Sequence, residues 1–199
     1  MSEILHRFLS AEETLFEDRG LYSDIRVGKK DGRINLYTGK GFLQSSVNSI
    51  KTPRGTLFDW YLAAPWFSGN FKGHLNSLLI LGLGAGSQVR LYNRIYKVKG
   101  ITGVEIDPLI IDLGKKFFDL NAPNLKTVNG DICFFLDTTP EIYSLIILDA
   151  FKENVFEENC QSPAFFRQIR ESLEPAGVFL VNKVLGDPSN REIEKELKK

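Results

Sequence analysis

The run Leu78-Leu79-Ile80-Leu81-Gly82-Leu83-Gly84-Ala85-Gly86 restricts the fold of this chain more than any other feature. Four consecutive large apolar residues make a buried strand, and the alternating glycines after it let the backbone turn tightly against a ligand. A second apolar strand ends at Gly103-Val104-Glu105-Ile106-Asp107, with Glu105 placed 23 positions after Gly82. A carboxylate at that strand tip can accept hydrogen bonds from both hydroxyls of a ribose. The two features predict a site for an adenosine-containing molecule. The order is G-x-G-x-G, and Ser87 stands where the third glycine of a dinucleotide loop would fall. That favours a sulfonium nucleoside over a nicotinamide dinucleotide.

From Leu78 onward the chain alternates strand and helix. Strands are predicted at Leu78 to Leu81, Ile101 to Glu105, Leu125 to Val128, Tyr143 to Leu148 and Val178 to Val181. Helices fall between them: Ser87 to Lys97, Pro108 to about Leu120, a segment containing Phe134, Phe135 and Leu136, and one opened by Ser162-Pro163 that ends near Leu173 to Gly177. Asp107 caps a helix that starts with Pro108. A charged helix covers Ser189 to Lys199. Such alternation means an α/β, Rossmann-like parallel sheet with helices on both faces, the nearly all-apolar fourth strand lying at its centre. Ligands bind such sheets at the carboxyl ends of the strands, where Glu105, Asp131 and Asp149 all fall.

The part before Leu78 reads differently. Ile4, Leu5, Phe8 and Leu9 recur at helical spacing, which predicts a helix within residues 2 to 17. Two alternating segments, Tyr22 to Lys29 and Ile34 to Thr38, flank Asp31-Gly32, a strong hairpin signal because a type I′ turn needs positive φ at both central positions. A third strand from Gly41 to Val47 carries Gln44 and completes a small antiparallel β domain. Pro53 to Gly55 breaks the chain, and the bulky segment Thr56 to Phe67 reads as a buried helix joining this appendage to the main domain. The expected division is 1–19 for the helix, 20–53 for the β-hairpin domain and 54–199 for the nucleoside-binding domain.

Composition narrows the partners. Formal net charge is zero, and Lys29-Lys30 and Lys115-Lys116 are pairs rather than a basic stripe, so nucleic acid is not expected. No apolar run is long enough to span a bilayer. Cys133 and Cys160 lack CxxC spacing, and with His6 and His74 in unrelated contexts no metal site can be drawn. No secretory apolar segment is recognisable, and Glu3, Glu12 and Glu13 argue against a transit peptide. A cytoplasmic location with free thiols is the expectation.

Asp131, in Asn129-Gly130-Asp131, can accept from the exocyclic amine of adenine, and it can equally cap the following helix. Asp149 follows the central strand and precedes a long loop, Ala150 to Gln161. It can hold a cationic amine and take its proton as the amine attacks, or simply cap the loop.

The set Gly82-Leu83-Gly84-Ala85-Gly86, Val104-Glu105-Ile106-Asp107, Gly130-Asp131 and Leu148-Asp149-Ala150-Phe151 resembles the spermidine synthase (polyamine aminopropyltransferase) family, which has the class I S-adenosylmethionine-dependent methyltransferase fold. The appendage fits, since a β-hairpin domain with Gly-x-x-Gln marks that family, here Gly41-Phe42-Leu43-Gln44. Ile80 stands where ordinary methyltransferases often carry an acid. The resemblance implies that Gly82, Gly84 and Gly86 lie against the nucleoside and its sulfonium tail, that Glu105 binds the ribose, that Asp131 and Ile132 hold the adenine, and that Gln44 reaches in from the appendage. Asp149 matches the first acid of the family's Asp-Ser-x-Asp segment, which positions and deprotonates the amine. The family often dimerises, so a homodimer is the assembly the resemblance implies.

The departures lie on the acceptor side. Ala85 replaces the loop Asp that binds the aminopropyl amine, and the second acid of the Asp-Ser-x-Asp segment falls on Lys152. The family's Tyr-Gln pair before the first strand aligns loosely with Phe58-Asp59. A diamine would be repelled by Lys152 if that side chain faces the site. These departures favour methyl transfer from S-adenosylmethionine over aminopropyl transfer from its decarboxylated form, to a small acceptor such as an amine and without a metal. The alternatives are aminopropyl transfer itself, a non-catalytic nucleoside-binding module and, third, a nicotinamide enzyme. The family's fold continues with two further antiparallel strands after the position of Lys199. Their absence predicts that the fifth strand is an exposed edge, in a truncated product or one covered by a partner.

Overall fold

A computed structural model describes residues 11–48, 60–152, 155–156, 158–183, 186 and 190–198. The first four strands, β1 (Glu13–Arg19), β2 (Asp24–Lys30), β3 (Arg33–Thr38) and β4 (Phe42–Asn48), form an antiparallel sheet in the order β1-β2-β3-β4. The β2–β3 hairpin turns where expected, with Asp31 at φ 50° and Gly32 at φ 74°. Strand β1 is the correction in this region. Residues 13 to 17, expected as the end of a helix, pair instead with β2, and the first ten residues lie outside the described set. Pairing wins over helical spacing because it places Leu15 and Phe16 on a core containing Ile25, Val27 and Leu36. Beside that strand Glu12 accepts from Arg26 at 2.6 Å and from the Tyr37 hydroxyl at 2.8 Å.

A five-stranded sheet follows, made of β5 (His74–Leu81), β6 (Lys97–Glu105), β7 (Leu125–Asn129), β8 (Tyr143–Leu148) and, after the two-residue strands β9 (Phe151–Lys152) and β10 (Val155–Phe156), β11 (Leu173–Val181). Its order is β11-β8-β5-β6-β7, and every pair is parallel. The helices are α1 (Ser87–Ile95), α2 (Pro108–Phe117), α3 (Ile132–Thr138), α4 (Pro163–Glu171) and α5 (Asn190–Leu197). Strand order reverses between β5 and β8, and in sheets of this kind ligands bind beyond the carboxyl ends of the strands at that point.

The period of two within β5 and β8 sets the register. Leu79, Leu81, Ile146 and Leu148 enter one apolar cluster with Phe165, Phe166 and Ile193. Leu78, Ile80, Leu145 and Ile147 enter the cluster on the other face with Tyr61, Tyr92 and Tyr96. All eight strand residues are fully buried. Each contributes about 1.5–3 kcal/mol, so a slip of the strands relative to each other is strongly disfavoured. A third cluster joins the antiparallel sheet to α2 through Ile25, Leu36, Ile110, Leu113 and Phe118.

Several boundaries differ from expectation. Strands β5 and β6 begin earlier, at His74 and Lys97, and α1 stops at Ile95 because Tyr96 is extended. Helix α2 stops at Phe117, and Asp119 at φ 54° turns the chain back so that Leu120 packs beneath the glycine loop. The bulky segment before β5 is a 3-10 helix, Tyr61–Phe67, rather than a fully buried helix. Tyr61, Ala64 and Pro65 are buried, but Trp66 and Phe67 are exposed. Eclipsed 3-10 geometry gives one narrow buried stripe, so a run of bulky residues cannot all turn inward. Among the described residues β11 is an edge strand, paired only with β8. No helix there is long and apolar enough to cross a membrane.

Candidate functional site

The glycine loop leaves β5 and is tied to β6. The amides of Gly82 and Leu83 both donate to the Val104 carbonyl, at 3.0 and 2.9 Å. Gly82 has φ 91°, and a Cβ there would stand 2.3 Å from the Asp149 carbonyl oxygen. The loop and the end of β8 therefore touch through backbone, which only glycine allows. Gly84 (φ 55°) lies under the Gln44 side chain, whose amide nitrogen would be 2.8 Å from an added Cβ. Gln44 thus reaches the loop from the appendage. Gly86 (φ 84°) opens α1.

Glu105 is nearly buried at the end of β6. Its two oxygens accept from the Gly84 amide at 2.9 Å and the Asp107 amide at 3.1 Å. Burial raises its pKa, and the two amides oppose that rise. Asp107 caps α2 through the Leu109 amide at 2.9 Å and accepts from the Leu21 amide at 2.7 Å, which fastens the appendage to the same corner. Asp131 caps α3 by accepting from the Phe134 amide at 2.9 Å. Ile132, the first residue of α3, is almost buried against the apolar cluster that contains Leu81 and Val104. Asn129 links these two strand ends, donating to the carbonyls of Glu105 and Ile106 at 3.0 Å each.

On the other side of the loop stands Asp149, half-buried at the end of β8. Asn182, just past β11, donates to its Oδ1 at 2.9 Å, and Gln88 in the first turn of α1 places Nε2 at 3.5 Å from its Oδ2. The Tyr61 hydroxyl lies close enough to favour the ionised carboxylate, although it makes no aligned hydrogen bond. Burial raises the Asp149 pKa, and Asn182, Tyr61 and Gln88 oppose that rise. Burial and the neighbouring carboxylate push the Tyr61 hydroxyl far up, so it stays protonated. Among the described residues, two buried polar atoms of this group, Tyr61 Oη and Gln88 Oε1, have no hydrogen-bond partner. Unpaired buried polar atoms beside a carboxylate at a strand-order reversal suit a polar ligand.

The structure thus brings Gly82, Gly84, Gly86, Glu105 and Gln44 to one loop, Asp149 against it, and Asp131 with Ile132 to the neighbouring strand end. Ala85 is fully buried and packs in the cluster between the appendage and α2. The Lys152 side chain and the Phe58-Asp59 pair lie outside the described residues. Among the described residues no group of three His, Cys, Asp or Glu side chains could hold a metal ion. Sequence reasoning missed Tyr61, Gln88, Asn182 and Asn129. Asn182 obeys the rule that pointed to Glu105 and Asp149, a polar residue directly after an apolar strand. Tyr61 was hidden among aromatic neighbours.

A spermine/spermidine synthase domain model matches residues 66–196. The chain belongs to that family. Within the family it is 34% identical over 168 residues to a probable polyamine aminopropyl transferase of Bifidobacterium longum, an overlap of 84% of this chain and 36% of that protein. The chain therefore spans little more than a third of that relative's length. A probable spermidine synthase from Corynebacterium glutamicum superposes with a TM-score of 0.78 at 22% identity, over 92% of this chain and 68% of the other. A spermidine synthase in complex with the transition-state analogue AdoDATO superposes at 0.71 with 17% identity, over 92% and 64%. These superpositions share the Rossmann-like fold with an N-terminal antiparallel sheet.

Proposed function

We propose that this chain transfers an aminopropyl group from decarboxylated S-adenosylmethionine to an amine, with Asp149 as the base. The observation that carries this reading is the Asp149 group. A carboxylate sits at the crevice with three neutral polar side chains around it and two of their polar atoms unpaired. Methyl transfer, favoured by Ala85 and Lys152, has no counterpart in the names of the relatives, which are polyamine aminopropyltransferases. That weighs for the aminopropyl version. The related fold that holds a transition-state analogue supports the same donor class for this crevice.

In this reading the nucleoside lies along the carboxyl ends of β5 to β7, with Glu105 toward the ribose, Asp131 and Ile132 toward the adenine, and Gln44 closing over Gly84. The sulfonium donor supplies an electrophilic carbon and a thioether leaving group. The residues of this chain bind, align and deprotonate. The amine nitrogen forms the new C–N bond as the C–S bond breaks, and its proton passes to Asp149. Alignment provides most of the acceleration and proton removal about 10²–10⁴-fold. No metal takes part, and a homodimer is the assembly proposed from the family.

The test is product analysis. The protein is incubated with an amine and either donor, and the nucleoside and amine products are weighed by mass spectrometry. Methylthioadenosine together with an aminopropylated amine is the expected result. Turnover with intact S-adenosylmethionine alone would establish the methyl version. Nucleoside binding without turnover of either donor would make this a binding module.

A further inference from the structure

We propose that Gln88 is a second acceptor that seats the attacking amine beside Asp149 and, being neutral, keeps that amine easy to deprotonate. The proposal rests on the aminopropyl-transfer reading and assigns a residue to its acceptor side. Gln88 is 3% exposed, although it is a polar residue in the first turn of a helix. An ionised carboxylate offers no proton, so the Gln88 amide must turn its nitrogen toward Asp149 Oδ2, the contact seen at 3.5 Å. Its oxygen is thereby aimed away from the carboxylate, and it meets no donor among the described residues. A buried amide oxygen without a donor is unfavourable, and an arriving N–H removes that penalty.

The chemistry of the attack asks for such an acceptor. An ammonium that gives one proton to Asp149 keeps further N–H bonds, and in a crevice with little water each needs an acceptor. The Asn182 nitrogen donates to Asp149 Oδ1. Among the described residues the Gln88 oxygen is a buried acceptor beside that carboxylate without a donor. A carboxylate at this position would bind the ammonium more tightly and hold its proton, whereas a neutral amide binds the nitrogen without opposing its deprotonation.

The charge argument separates this role from a structural one. In Gln88→Leu the acceptor KM should rise about 10-fold, with affinity for the nucleoside unchanged. In Gln88→Glu the acceptor KM should return to the wild-type value or below it, while kcat falls about 10-fold because the amine stays protonated. Melting temperature and titration with methylthioadenosine report whether each variant folds and binds nucleoside. Calorimetric titration of 1,4-diaminobutane into protein saturated with methylthioadenosine gives the same comparison without turnover. If wild type binds the diamine but transfers nothing, the reading of the reaction fails, and weaker diamine binding in Gln88→Leu still upholds the role of Gln88. If wild type turns over and Gln88→Leu keeps its acceptor KM, the role of Gln88 is overturned and the reaction stands. If both variants lose nucleoside and diamine alike, Gln88 is structural and the proposal is overturned. If wild type binds no diamine, it is overturned as well.

Discussion

The two halves of the crevice are built by different means. The half proposed for the nucleoside consists of short contiguous pieces: a loop after β5, an acid ending β6, and an acid capping α3 after β7. Its polar groups are held by backbone, as when Glu105 accepts from the amides of Gly84 and Asp107. The half proposed for the acceptor is assembled from side chains far apart in sequence. Tyr61, Gln88, Asp149 and Asn182 come from four separate segments and meet only because the sheet order reverses between β5 and β8. A site held by backbone tolerates drift around it, whereas a site held by converging side chains can be retuned one residue at a time. Gln88 is the position where the proposed acceptor half could be altered with the glycine loop left in place.

Asp149→Asn is the strongest way to test that separation. It keeps the shape of the side chain and removes the base. Turnover should fall about 10²–10⁴-fold, while nucleoside affinity measured by calorimetry stays within about 3-fold of wild type. Equal losses of both would mean that the halves are a single coupled unit.

The converse substitution, Glu105→Gln, should affect the other half. The amide cannot accept from ribose hydroxyls as a carboxylate does, and it meets the Gly84 and Asp107 amides with one donor too many. Nucleoside affinity should weaken about 10–100-fold, as hydrogen bonds to a charged group contribute about 1.5–3 kcal/mol. Turnover at saturating donor should change little, and steady-state kinetics with donor varied would show it.

The same contrast explains what could be read from the sequence. The glycine loop, Glu105, Asp131 and Asp149 all follow apolar strands, so the period of the strands announces them. Alternation of strand and helix announces a parallel sheet but not its order, in which β5 rather than β8 is the middle strand. Tyr61 and Gln88 follow no such rule, because their role depends on which distant elements the fold packs together. The helical spacing of Ile4 to Leu9 predicts a helix that runs on into β1, while the pull of β2 on residues 13 to 19 is a tertiary contact with no local signal. Ala85 was legible as a missing acid, but not as part of the seam between appendage and α2.

That seam offers a third, smaller test. Asp107 caps α2 and accepts from Leu21, so one side chain serves both the helix and the appendage. Asp107→Ala should destabilise the fold by about 1–2 kcal/mol, the range for a lost cap, with the midpoint read from urea unfolding. Nucleoside affinity should weaken next, since the turn held by the Asp107 side chain also positions the backbone amide that donates to Glu105. A loss confined to acceptor binding would contradict the division.

The smallest effect expected concerns protons, and there the two halves behave alike in stability and differ in activity. Burial raises the pKa of both Asp149 and Glu105 above the ordinary values of 3.8 and 4.5. The folded protein therefore binds protons that the unfolded chain has released. Stability should fall as pH rises from those ordinary values through the raised ones, and level off above them. Activity should run the other way, because Asp149 must be ionised to take a proton, so the acid limb of kcat/KM lies above that of an ordinary aspartate. Tyr61 favours the ionised form of Asp149. Removing its hydroxyl in Tyr61→Phe should move the acid limb further up and lower turnover near pH 7 by less than about 10-fold, because the carboxylate loses one polar neighbour. Nucleoside affinity should follow the wild-type pH curve, since Glu105 receives its donors from backbone amides rather than from Tyr61. A pH–rate profile of Tyr61→Phe that overlays that of wild type would remove Tyr61 from the acceptor half.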